Sequence, residues 1–203
     1  THMRLGSSIH IDDFYEAELL FGNKLFVSCF TFLLVRDILN MHIENDIVLY
    51  GYASYSEMLL YNIKKLLKKT DFGLKRNIDN ILLDREADNR GTGHVDLLRK
   101  SSDEIFQNNN TIIFIVPINS TMKTLGKMYD RIEKFLTNEN KFTAFTLITI
   151  APAEENYYWK FEDGRKIVPK NNLNEVFEKI TYYITAETTY HEAVLCKLCY
   201  PDN

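Results

Sequence analysis

Apolar positions along this chain fall into two patterns. The first is the short unbroken run, rich in β-branched residues. Asp46-Ile47-Val48-Leu49-Tyr50, Thr111-Ile112-Ile113-Phe114-Ile115-Val116 and Ala144 to Ile150 are of this kind, and Ile78 to Leu83, interrupted by Asp79 and Asn80, is a strand candidate between the first two. Such runs predict strands buried on both faces, the usual state of a parallel sheet. The second pattern is recurrence at three and four residues, which predicts helices with one apolar face. Leu59, Ile63, Leu66 and Leu67 follow the first strand in this way, and Leu125, Met128, Tyr129, Ile132, Phe135 and Leu136 follow the third.

The rest of the chain is read by the same rules. Residues 9–39 are expected to be helical, with a break near Gly22-Asn23 and a capping-box spacing at Asp13 and Glu16. Leu19 and Leu20 lie on one side of the first piece. Leu25, Cys29, Phe32, Leu33 and Arg36 form the stripe expected to cover a sheet, with Cys29 as a buried small hydrophobe. Asp96 to Phe106 reads as a short helix, and Gln107 to Asn110 as a turn. Tyr157 to Phe161 and Lys166 to Pro169 flank Asp163-Gly164, the pattern of a hairpin closed on an Asp-Gly turn. Leu173, Val176, Phe177 and Ile180 predict a last helix running on to Tyr183.

Strand and helix alternate, so the expected fold is α/β: a three-layer Rossmann-like domain with a mainly parallel sheet, plus the hairpin and a short C-terminal Cys-containing tail. The divisions expected are an N-terminal helical cover (4–40), an α/β core (41–155), a hairpin and helix addition (156–190) and the tail (191–203). With 203 residues, 45% of them hydrophobic, a proper core is within reach. The formal charge of −4 carries no basic bias and gives no strong nucleic-acid signal. No apolar run has the length of a membrane span and no signal peptide is visible, so a membrane is not an expected partner. Thr1-His2-Met3 reads as a cloning remnant. Three cysteines make no disulfide framework, and a reducing cytoplasm is the expected compartment.

Candidate chemistry gathers in the loops after strands. Asn119, Ser120, Thr121, Lys123 and Thr124 stand between the third strand and its helix, where backbone N–H groups and a helix dipole can meet an anion. The bland alternative is that Asn119, Ser120 and Thr121 only cap that helix. Tyr52-Ala53-Ser54-Tyr55-Ser56 occupies the corresponding place after the first strand, and Ser54 and Glu57 have capping-box spacing. Lys64, Lys65, Lys68 and Lys69 read as a solvated face near a helix C-terminus. Asp84 to His94 is charged and glycine-bearing. It is either a binding loop, with Arg85, Arg90 and His94 as phosphate contacts, or a surface connection.

The segment Ile113-Phe114-Ile115-Val116-Pro117-Ile118-Asn119-Ser120-Thr121-Met122-Lys123-Thr124 resembles the phosphoribosyltransferase signature. That signature is an apolar strand, two acidic residues, two apolar residues and a hydroxyl/glycine loop around the 5-phosphate of phosphoribosyl pyrophosphate (PRPP). The resemblance spans roughly residues 40 to 150 and is to a divergent bacterial form of the type I fold. It implies that Leu49 to Glu57 holds the place of the pyrophosphate loop and Asp84 to Val95 that of the flexible loop. It implies PRPP or a nucleotide as ligand, and Mg2+ if the chain is catalytic. Two departures stand out. Val116 and Pro117 occupy the places of the acidic pair, and Met122 and Lys123 those of the paired glycines. The function expected is therefore PRPP or nucleotide-phosphate binding at the Asn119–Thr124 loop, as a transferase. The alternative is a catalytically inactive nucleotide-sensing or protein-interaction module of a larger protein. A different nucleotide-sensing Rossmann-like domain, such as the CRISPR-associated kind, is a third reading.

In the tail, Cys196 and Cys199 are spaced C-x-x-C and His191 lies five residues earlier. Together they are three candidate Zn2+ ligands lacking a fourth. The plain reading is two thiols on a terminal segment. Tyr157, Tyr158, Trp159, Tyr190 and Tyr200 suit either an interface or a core. A homodimer, or a fused or separate partner protein, fits these residues.

Overall fold

The computed structural model describes residues 3–5, 9–11, 17–52, 56–83, 106, 110–119, 123–137, 140–150, 159–160, 166–167, 173–186 and 190–192. Its centre is a five-stranded sheet of β3 (Ile47–Tyr52), β4 (Ile78–Leu83), β5 (Thr111–Asn119), β6 (Lys141–Ile150) and β9 (Lys179–Ala186). The spatial order is β4-β3-β5-β6-β9, and every pairing is parallel. Two small sheets accompany it. One joins β1 (Met3–Leu5), β2 (Ile9–Ile11) and β10 (Tyr190–Glu192). The other is the antiparallel pair β7 (Trp159–Lys160) and β8 (Lys166–Ile167).

Alternation along the strands divides the core in two. On one face Ile47, Leu49, Ile113, Ile115, Phe145 and Leu147 pack under α1 (Ala17–Gly22), α2 (Lys24–Asn40) and α3 (Glu57–Leu67). On the other, Val48, Tyr50, Ile112, Phe114, Val116 and Ala144 pack under α5 (Lys123–Ile132) and beside Phe106, Leu173 and Phe177. Two short helices, α4 (Asp71–Leu74) and α6 (Leu173–Val176), complete the connections. The layers are helix, sheet, helix, as expected of strands buried on both faces.

Side-chain amides and carboxylates fix the strand starts. Asp46 accepts from the Asn77 backbone N–H at 2.8 Å and from its side-chain amide at 3.0 Å, and its carbonyl accepts from Thr111 at 3.0 Å. Asn140 accepts from the backbone N–H of Thr137 at 2.7 Å and donates to the carbonyl of Asn110 at 3.2 Å, tying the β6 entry to the β5 entry.

Several expectations are corrected. Residues 9–11 form a strand, so the cover does not begin as helix at residue 9. The break near Gly22-Asn23 is present, because Asn23 caps α2 by accepting from Leu25 and Phe26 at 2.9 and 3.3 Å. The covering face of α2 is Val27, Phe30, Thr31, Leu34, Val35 and Ile38. Leu25, Cys29, Phe32 and Arg36 lie on the opposite, exposed face, so Cys29 is not buried. Apolar residues run all round this helix, and its spacing alone favours neither side. The helix expected to run from Leu173 to Tyr183 stops at Val176, and β9 follows. Ile180, Thr181, Tyr182, Tyr183, Ile184 and Thr185 are β-branched or aromatic and suit a pleated surface better than a helix. Glu57 opens α3 with Ser56 as its cap residue, so Glu57 does not take the third helical position that a box with Ser54 requires. The hairpin register, Lys160 against Lys166, centres on Asp163, although its turn lies outside the described residues. Asp13, Glu16 and the expected helix before Phe106 also lie outside them.

Candidate functional site

The strand order reverses between β3 and β5, which are neighbours in the sheet although β4 separates them in sequence. From β3 the chain passes to α3 on one face, and from β5 to α5 on the other. Loops that part in this way leave a crevice beyond the strand C-termini, the usual ligand position in open α/β sheets.

This edge is stepped. Gly51 is level with Ile115 and Tyr52 is level with Leu83. β3 and β4 therefore end together, while β5 runs on to Asn119, paired with Thr149 of β6. At about 3.3 Å per residue, β5 rises about 10 Å above the end of β3. Among the described residues this leaves a notch with the β3 end as its floor and residues 117–119 of β5 as its wall.

Four of the expected site residues, Tyr52, Asn119, Lys123 and Thr124, stand at the ends of the elements that border this notch. Asn119 ends β5, Lys123 opens α5, and Thr124 is half-buried in the first turn of α5. Ser120 and Thr121 lie outside the described residues. Tyr52 ends β3 half-buried against the α5-side core. Ala53, Ser54 and Tyr55 lie outside the described residues. Ser56 is fully buried, and its hydroxyl donates to the carbonyl of Tyr52, which turns it inward. Arg85, Arg90, His94, Cys196 and Cys199 lie outside the described residues, and His191 is paired with His10 between β10 and β2. Of the basic cluster on α3, Lys64 stands 3.8 Å from Asp79 and Lys68 donates to the carbonyl of Arg76, as a solvated helix end would.

Val116 and Pro117 are both buried, and Val116 is part of the α5-side core. The β5–β6 pairing passes from Val116–Thr146 to Ile118–Ile148 across Pro117, which has no N–H to give. Neither side chain offers an acceptor, so the residues at the places of the acidic pair do not fit a contact with Mg2+ or ribose hydroxyls. Beside Val116 stands a residue that the hydrophobic pattern passed over. Thr146 is fully buried and its hydroxyl has no partner among the described residues. Its signal was a polar residue inside the apolar run Ala144 to Ile150. Tyr50, deeper on the same face, likewise has a hydroxyl with no partner among the described residues, and burial raises its pKa well above the ordinary phenol value.

A cavity of about 540 Å3 lies at the other end of the sheet, where His42, Glu44, Thr111, Lys141, Thr143 and Lys179 surround the strand N-termini. Its position is opposite to the edge where polar loops and helix N-termini converge. Among the described residues no three His, Cys, Asp or Glu side chains gather as a metal set. No helix among them is long and apolar enough to cross a membrane.

No protein-family model matches the chain, and no curated protein sequence matches it. Solved structures do. A hypoxanthine-guanine-xanthine phosphoribosyltransferase is 9% identical, with 79% of this chain and 74% of that one covered and a TM-score of 0.45. A hypoxanthine phosphoribosyltransferase of Staphylococcus aureus is 16% identical over 76% and 73%, with a TM-score of 0.41. The hypoxanthine phosphoribosyltransferase of Trypanosoma cruzi is 15% identical over 79% and 75%, also at 0.41. The chain thus has a five-stranded, all-parallel Rossmann-like sheet, and these solved structures to which it is similar are phosphoribosyltransferases.

Proposed function

We propose that the chain binds PRPP or a nucleotide phosphate through the Asn119–Thr124 loop. The observation that supports this most is the stepped notch at the strand-order reversal, with a polar loop and a helix start on each side of it. The 10-residue α5 brings an N-terminal dipole to the loop. Hydroxyls at Ser120, Thr121 and Thr124 and the charge of Lys123 suit a phosphate there.

Within this reading, binding without turnover is favoured over transfer. Phosphoribosyl transfer depends on neutralising and positioning the leaving pyrophosphate. The buried Val116 and Pro117 supply nothing to that step. Any Mg2+ would arrive on the diphosphate of the ligand, and no step is assigned to it. A nucleotide-sensing module follows from such a site more directly than an enzyme does.

Isothermal titration with PRPP and with nucleoside monophosphates, each with and without Mg2+, tests both parts. Saturable binding that is indifferent to Mg2+ is expected. Ser120→Ala and Thr124→Ala should each weaken it by about tenfold, the worth of a hydrogen bond to a charged group. Unchanged affinity in both variants removes the loop from the site. Strong Mg2+ dependence with turnover of a base would replace the sensor by an enzyme. His191, Cys196 and Cys199 remain a proposed zinc set, which a substoichiometric zinc content of the purified protein would overturn.

A further inference from the structure

We propose that the outer face of α2 and α3 is the two-fold contact of a homodimer, with Phe32 on the symmetry axis. α2 and α3 lie side by side on one face of the sheet, so their outer sides look the same way. On α2 that side carries Leu25, Cys29, Phe32, Arg36 and Leu39, at alternating spacings of four and three residues. Leu25 is 74% exposed, Phe32 66% and Leu39 39%. On α3 it carries Met58 and Tyr61, also exposed. A helix that is apolar on both sides has a second cover to find once its inner face is on the sheet.

Two features select a second copy of this chain as that cover. Four-three spacing is the seam of helices that pair along their length. The seam is also nearly palindromic: Leu25 and Leu39 lie seven residues before and after Phe32. A two-fold contact requires a self-complementary patch. In an antiparallel pair centred on Phe32, Leu25 of one copy meets Leu39 of the other. Arg36 then lies over the small Ser28, and its charge is already met by Asp37 at 2.7 Å. The area suffices. Five exposed apolar side chains of about 100 Å2 each, doubled by the symmetry, reach about 1,000 Å2, the lower bound of a specific interface.

The geometry gives a sharp test. Helix axes 8–10 Å apart and a Cα radius of about 2.3 Å bring the two Phe32 Cα atoms to about 3.5–5.5 Å, a span that overlaps the disulfide range. Phe32→Cys, in the full chain with Cys29 changed to Ser and the proposed zinc ligands Cys196 and Cys199 kept, should form under mild oxidation a disulfide-linked dimer that the Cys29→Ser parent does not form. Sedimentation velocity of the wild type should give a dimer at tens of micromolar. Phe32→Glu should raise its dissociation constant at least 100-fold, with an unchanged circular dichroism spectrum as proof of folding. A wild-type monomer at 100 µM overturns the proposal. So does a dimer indifferent to Phe32→Glu, a Phe32→Cys chain that stays uncrosslinked, or a monomer that sediments with anionic vesicles.

Discussion

Asn23 shows how much one side chain decides. Its carboxamide oxygen accepts from two of the N–H groups that open α2, at 2.9 and 3.3 Å. Asn23→Ala should therefore cost about 1 kcal/mol, and Asn23→Gly only a few tenths, by urea denaturation. Tyr50 gives the opposite sign. Its buried hydroxyl has no partner among the described residues, so Tyr50→Phe should leave stability unchanged or raise it by up to about 1 kcal/mol. Asp37 carries a pH dependence. Burial raises its pKa, but hydrogen bonds from Arg36 at 2.7 Å and from the Tyr183 hydroxyl at 2.6 Å outweigh burial and hold it below the ordinary carboxylate value. A depressed carboxylate stabilises the fold above its unfolded pKa of about 3.9, and that contribution is lost as pH falls through the folded value. Tyr183→Phe removes one of the two hydrogen bonds and so raises the folded value, so the loss in acid should be smaller and should end at a higher pH. Melting temperatures from pH 2 to 6 would show it. Two profiles that differ only by a constant offset would mean that the hydroxyl does not hold the carboxylate.

Elements answer to neighbours that the chain's own pattern does not contain. β3, β5 and β6 were legible because their runs are apolar almost throughout, and β4 followed from its place between them although Asp79 and Asn80 interrupt it. β9 was not. Its apolar residues satisfy a helical spacing from Leu173 onward, and only the ladder to β6 decides the matter. α2 was legible as a helix but not in its orientation, because both sides are apolar. The sheet took Phe30, Leu34 and Ile38, and left Leu25 and Phe32 outside. Gly51 shows the same dependence at the site. A Cβ there would stand 2.7 Å from Cδ1 of the buried Leu60, so α3 is seated directly on the end of β3. Gly51→Ala should cost about 1–3 kcal/mol through this overpacking. Because the same contact sets where the loop after β3 begins, it should also weaken any ligand held in the notch. A variant that loses stability and keeps full affinity would separate the α3 seat from the site.

For the whole molecule, the order of strand, polar loop and helix was visible in the sequence, and so was the edge at which the loops would meet. The step in that edge was not, since it depends on β5 running three residues past the level of Tyr52. That extension decides the chemistry. It draws Val116 and Pro117 into the sheet, where Val116 packs with Phe114 and Leu125 in the buried core on the α5 side. An acidic pair therefore cannot be restored by substitution alone. Val116→Asp would bury a carboxyl among apolar side chains, at about 3–5 kcal/mol when ionised. Burial raises its pKa, so the folded state would hold its proton longer than the unfolded chain. Stability should then fall as pH rises from about 4 through the raised value, opposite to the dependence expected of Asp37. Urea denaturation of Val116→Asp at pH 4 and pH 7 checks this: the loss relative to wild type should be clearly larger at pH 7. Equal losses would mean that the carboxyl reaches water. The position would then belong to the notch rather than to the core, and the preference for a sensor over an enzyme would lose its main support.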